Sequence, residues 1–100
     1  MEQQNQSFRI VLDERIAQGE YVNFANIIHS PAEFVVDLGR IMPGRPEARV
    51  CSRVVMTPQH AKQLLQALAQ NVNLYEQKYG TIEVHVQQPA FQNVDSEPSN

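Results

Sequence analysis

Four arginines crowd one short stretch of this sequence. Arg40, Arg45, Arg49 and Arg53 fall within fourteen residues, with Glu47 the one acid among them. Guanidinium groups gathered this way suit phosphates or carboxylates, because each planar fork can make two parallel hydrogen bonds. The stretch Met42-Pro43-Gly44-Arg45-Pro46 signals a turn, with two prolines and a glycine. Folded as a hairpin there, the chain would bring Arg40 near Arg49 beside the turn that carries Arg45. These four residues are the candidate contact for an anion or an acidic partner segment. A solvated turn with strand arginines paired to Glu33 and Asp37 is the competing reading, and two features favour it. Residues 7–83 hold eight basic and eight acidic residues, so the body is neutral, and the net charge of −3 comes from Glu2, Asp95 and Glu97. Non-specific nucleic-acid binding needs a basic footprint and interleaved stacking aromatics, so nucleic acid is kept only as the alternative partner.

The other reactive side chains are scattered. His29, His60, His85 and the single cysteine, Cys51, are the only soft metal ligands, and no pair of them has a metal-site spacing. Cys51, flanked by Arg49 and Arg53, has cations nearby that favour a thiolate, but a small buried hydrophobe is the favoured reading. Glu33 and Asp37 alternate onto one strand face, where they would meet cross-strand arginines rather than do acid–base work. There is no glycine-rich phosphate loop and no nucleophile elbow, and only four glycines in all. No catalytic residue, metal site or cofactor is assigned, and the expectation is a non-enzymatic protein.

The elements that would position these residues are legible from periodicity. In the first half, Phe8–Asp13, Glu20–His29, Glu33–Leu38 and Ala48–Met56 each alternate with period two, as strands do. A helix follows. Thr57 suits the N-cap and Pro58 the first helical position. Apolar residues at Ala61, Leu64, Leu65, Leu68, Val72, Tyr75 and Tyr79 then form one stripe, and Gly80 stands at the stop. Leu68 is expected to be fully buried against the sheet, while Ala67 and Leu74 lie off the main stripe. Thr81–Val86 alternates again and is left open as a short further strand.

Short links between strands favour an antiparallel meander. The predicted fold class is therefore α+β: a two-layer domain with an antiparallel four-stranded meander followed by one long C-terminal amphipathic helix. Residues 1–6 read as a disordered N-terminal arm, 7–86 as the single domain and 87–100 as a disordered acidic tail. One helix covers one sheet face, while alternation puts apolar residues on both. Tyr21, Ile27, Val35 and Val55, with Leu74 on the helix, are the candidate oligomer interface, and a second copy of the chain is the expected partner, as a dimer or tetramer. At 100 residues and 42% hydrophobic, with apolar runs of two or three residues, the chain reads as globular and without a membrane span. Residues 1–6 carry no basic cluster or apolar stretch, so a cytoplasmic location is expected.

The middle of the chain resembles a family. Tyr21-Val22-Asn23-Phe24, then Ser30-Pro31, Glu33-Phe34 and Asp37, form one part of its pattern. Arg53-Val54-Val55-Met56-Thr57-Pro58 with His60-Ala61-Lys62, Leu64-Leu65, Tyr75-Glu76 and Tyr79-Gly80 form the other. Both parts are similar to those of short prokaryotic proteins of the domain-of-unknown-function family 3467. The resemblance spans about Tyr21 to Ile82, implies a small cytoplasmic prokaryotic protein, and carries over no catalytic residue. The expected function is a homo-oligomeric protein-interaction or accessory module. Its element order is similar to that of the export chaperone SecB, whose oligomers bind unfolded chains; the alternative is a nucleic-acid-binding protein using the arginine hairpin.

Overall fold

A computed structural model describes residues 7–85 and 91–93. The order is α1 (Glu14–Ala17), β1 (Phe24–His29), β2 (Phe34–Ile41), β3 (Ala48–Met56), α2 (Pro58–Tyr79) and β4 (Phe91–Asn93). The architecture is α+β, as expected, but the sheet is mixed. β1, β2 and β3 form an antiparallel run, and β4 joins β1 in parallel, giving the order β3-β2-β1-β4. The antiparallel four-stranded meander is therefore corrected at both ends of the chain. Phe8–Asp13, expected as the first strand, is in no helix or strand, and Asp13 instead caps the single turn α1, its carboxylate accepting the Arg15 N–H. Phe91–Asn93, expected inside a disordered tail, form β4, where the Gln92 side chain donates to the Asn26 side-chain oxygen at 3.0 Å. Residues 1–6 lie outside the described residues, as does most of 87–100. Thr81–His85 is not a strand.

Local chemistry explains the antiparallel run. Ser30 starts a tight turn, its N–H bonded to the Glu33 carbonyl and its hydroxyl accepting the Ala32 N–H. Between β2 and β3, the Arg45 N–H reaches the Met42 carbonyl at 3.2 Å. Pro43 and then Gly44, at φ +82°, occupy the central positions, which is the arrangement of a type II turn. Ahead of β1, Asn23 prolongs the pairing: its side-chain amide both donates to the Ile41 carbonyl and accepts the Ile41 N–H.

A bulge between Leu38 and Gly39 leaves Cys51 without an opposite partner. Below it, Ser52, Val54 and Met56 share a face with Phe34, Val36 and Leu38; beyond it, Val50 moves to the other face with Gly39, and Arg49 pairs with Arg40. Uninterrupted alternation along Ala48–Met56 would put Val50 on the same face as Val54. Gly39 is needed because a Cβ there would collide with the Arg49 carbonyl group.

The helix forms as expected, with Thr57 Oγ1 accepting the His60 N–H at 3.2 Å and Pro58 in the first turn. At its far end the Gly80 N–H bonds the Glu76 carbonyl, and the Glu76 carboxylate accepts the Ile82 N–H at 2.9 Å. What differs is its burial: no residue of α2 is buried. Leu68, expected to be enclosed, is 60% exposed, and among the described residues the only buried apolar side chain is that of Ala25. The expected second layer is not packed within one chain: Ala61 and Glu76 apart, the residues of α2 are exposed, so the helix does not close over the sheet and the chain has no enclosed core of its own.

Candidate functional site

The registers sort the sheet into two faces. Ala25, Ile27, Phe34, Val36, Leu38, Val54, Met56 and Phe91 share one face; Phe24, Ile28, Val35 and Val55 share the other with Asn26, Asp37 and Arg53. Only Thr57 separates β3 from α2, so the helix starts at the end of the edge strand, and its first turns border the first face. Between them opens a groove of about 560 Å³, lined from the sheet by Ile27, Phe34, Val36, Met56 and Asn93. From the helix come Pro58, Ala61, Lys62, Leu64, Leu65 and Leu68. Leu64, Leu65 and Leu68 are at least half exposed. Further along, Val72, Leu74, Tyr75 and Tyr79 also face solvent, with the two tyrosine rings 4.9 Å apart and the Lys78 ammonium over Tyr79. At on the order of 100 Å² each, these side chains together expose several hundred Å² of apolar surface along α2, an amount that in soluble proteins marks an interaction site.

The arginine hairpin is the second feature. Arg40, Arg45 and Arg49 line a shallow cavity of about 210 Å³ with Met42 and Glu47. Arg40 is already engaged, donating at 3.0 Å to both the Glu20 carboxylate and the Tyr21 carbonyl. Arg45 and Arg49 have no ion-pair partner among the described residues. Arg53 leaves the group and faces the opposite way. It grips Asp37 with two parallel bonds, Nε to Oδ1 at 2.7 Å and Nη2 to Oδ2 at 2.9 Å. Asp37 is only 7% exposed. Hydrogen bonding from Arg53 holds its carboxyl below the usual aspartate range, opposed by burial and aided by the arginine's charge. Arg53 is correspondingly raised.

The five candidate interface residues do not form one area. Ile27 pairs with Val36, whereas Val35 pairs with Ile28 and Val55, so Ile27 lies on the groove face and Val35 and Val55 on the other. Tyr21 precedes β1 and is 69% exposed, and Leu74 is as exposed as the main stripe. The expectation of a single patch fails because faces were matched between strands before their registers were known. The residues it missed are Phe34, Val36 and Met56; their alternation was visible, but not that the helix would leave them open. Among the described residues no three of His, Cys, Asp and Glu gather as a metal site, and no helix is long and apolar enough to cross a membrane.

A family model described as a protein of unknown function, DUF3467, matches residues 1–84. The chain belongs to the DUF3467 family. No curated protein and no solved structure matches it. The matched range holds the arginine hairpin and all of the groove lining of this DUF3467 chain except Asn93, and ends before β4.

Proposed function

We propose that the chain is a non-enzymatic, homo-oligomeric protein-interaction module whose hydrophobic core is built between copies. The observation that carries this reading is the helix stripe. Leu64, Leu65, Leu68, Val72, Tyr75 and Tyr79 have core spacing along α2, yet each faces solvent in the single chain. Residues with that pattern belong in an interior, and a symmetric partner supplies one at no cost in new sequence. The neutral body offers little repulsion between copies. By analogy of element order with SecB, the assembled apolar surfaces would also hold segments of other protein chains.

The test is Leu65→Asp with Leu68→Asp. Light scattering should show the wild type as an oligomer and the double variant as a smaller species or an unfolded monomer. An unchanged mass and melting temperature would remove the helix from the interface. The second reading, nucleic-acid binding, draws on the Arg40–Arg45–Arg49 cavity. It requires that a labelled single strand bind at moderate salt and that Arg45→Glu with Arg49→Glu abolish binding.

A further inference from the structure

Among the described residues, β3 and the three-residue β4 bound the sheet, and an unpaired strand-like segment suits the longer β3 edge. With the order β3-β2-β1-β4, β3 is the terminal strand on one side. It is nine residues long, with no proline and no acid. Its charges are Arg49 and Arg53, and Arg53 is drawn onto Asp37. Natural edges are blunted by shortness, proline, lysine, inward charge or a bulge; β3 is neither short nor interrupted by proline, and its protection comes from the bulge at Cys51 and from Arg53. The unpaired segment is Phe8–Leu12. It alternates as a strand would, and Phe8 (64%), Ile10 (85%), Val11 (78%) and Leu12 (64%) all stand in solvent. Among the described residues its backbone makes no hydrogen bond to another part of the chain. Four large apolar side chains within five residues are not left so by a completed fold.

We infer that Phe8–Leu12 of one copy adds as an antiparallel strand to the β3 edge of a second copy, and reciprocally. The inference rests on the homo-oligomer reading above and names where the copies join. Charge selects the direction. Asp13 and Glu14 follow the segment, Arg45 lies in the turn before β3 and Arg49 near its start, and none of the four has an ion-pair partner among the described residues. Antiparallel addition brings these acids to those arginines and sets Phe8 toward the Val54 end. With Asp13 beside Arg49, Val11 comes opposite Cys51. In its own chain the segment lies off β3, and residues 20–23, which follow it, are fastened to the end of β2 through Arg40–Glu20 and Asn23–Ile41. A second copy is free of that tether. Two such additions form a closed two-fold interface in which each sheet gains a strand and neither keeps an open β3 edge.

Cys51 is the only cysteine, so the test needs one added thiol. Directly opposed strand residues bring their Cα atoms to about 4.5–5.5 Å, within disulfide reach. Val11→Cys, mildly oxidised, should run mainly as a two-chain species on a non-reducing gel. Wild type and Val11→Cys with Cys51→Ser should not. Arg9→Cys, two residues along the same face, samples the neighbouring register should Val11→Cys fail to fold. Linkage within one chain overturns the exchange. An oligomer by light scattering that gives no link with either variant overturns the β3 site while leaving the homo-oligomer reading intact. A monomer by light scattering overturns both.

Discussion

Leu68→Ala separates a chain that folds alone from one completed by its partner. Full burial of a leucine side chain is worth about 1.5–3 kcal/mol. Leu68 is 60% exposed in the single chain, so most of that gain, roughly 1–2 kcal/mol, is available only when another molecule covers it. A cavity penalty likewise arises only in an enclosed site. Truncation in an isolated chain should therefore cost about 1 kcal/mol or less, whereas truncation in an assembled core should cost about 2–5 kcal/mol per chain. Urea unfolding at two protein concentrations a hundredfold apart reads both quantities. If folding is linked to dimer assembly, the wild-type apparent unfolding free energy should shift by about 2.7 kcal/mol per dimer, about 1.4 kcal/mol per chain, between them through mass action. Leu68→Ala should then lower the midpoint strongly at both concentrations. A midpoint independent of concentration, with a loss below about 1 kcal/mol, would refute the reasoning.

Three further outcomes follow from named contacts. Gly39→Ala should lower the melting temperature sharply, because the new methyl meets the Arg49 backbone at the bulge and the strands must part to admit it; a melting temperature within a degree of wild type would show the bulge to be soft. Asp37 is held below its ordinary pKa by Arg53, so its contribution is complete above the unfolded value of about 3.9 and is lost as pH falls through the lower folded value. Acid titration of stability should be shallower below pH ~4 in Asp37→Asn than in wild type, and identical slopes would deny the pair a role. Thr57→Ala removes the side-chain acceptor of the His60 N–H and should cost about 1 kcal/mol by urea unfolding; no loss would mean that the cap is dispensable.

The parts legible in the sequence were those specified by neighbouring residues. Thr57, Pro58 and Gly80 bound α2 as expected, and Met42–Arg45 forms the turn that Pro43 and Gly44 require. The expected pairing of Asp37 with a cross-strand arginine is the Asp37–Arg53 bidentate contact. The parts that were missed depend on distant contacts. Phe91–Asn93 becomes a strand because β1 offers it an edge, and three residues carry no periodicity to reveal that. Gly39 and the bulge were invisible because alternation continues smoothly through Ser52 while the pairing slips. Phe8–Leu12 has strand periodicity, but in the single chain it lies off every strand, and periodicity alone does not name the edge that would pair with it. The stripe on α2 was read correctly as a pattern and wrongly as buried within one chain: spacing shows which residues share a face, not which surface covers it. For the site, Arg40, Arg45 and Arg49 came together at the hairpin as expected, whereas the groove at Phe34, Val36 and Met56 required the helix position.

Sedimentation equilibrium of the full chain across a hundredfold range of micromolar concentrations bears most directly on the central claim that the core is built between copies. The account requires a mass of at least twice the 11.4 kDa of one chain, held while the far-ultraviolet spectrum shows folded strand and helix. A single-chain mass at every concentration, with that folded spectrum intact, would contradict it.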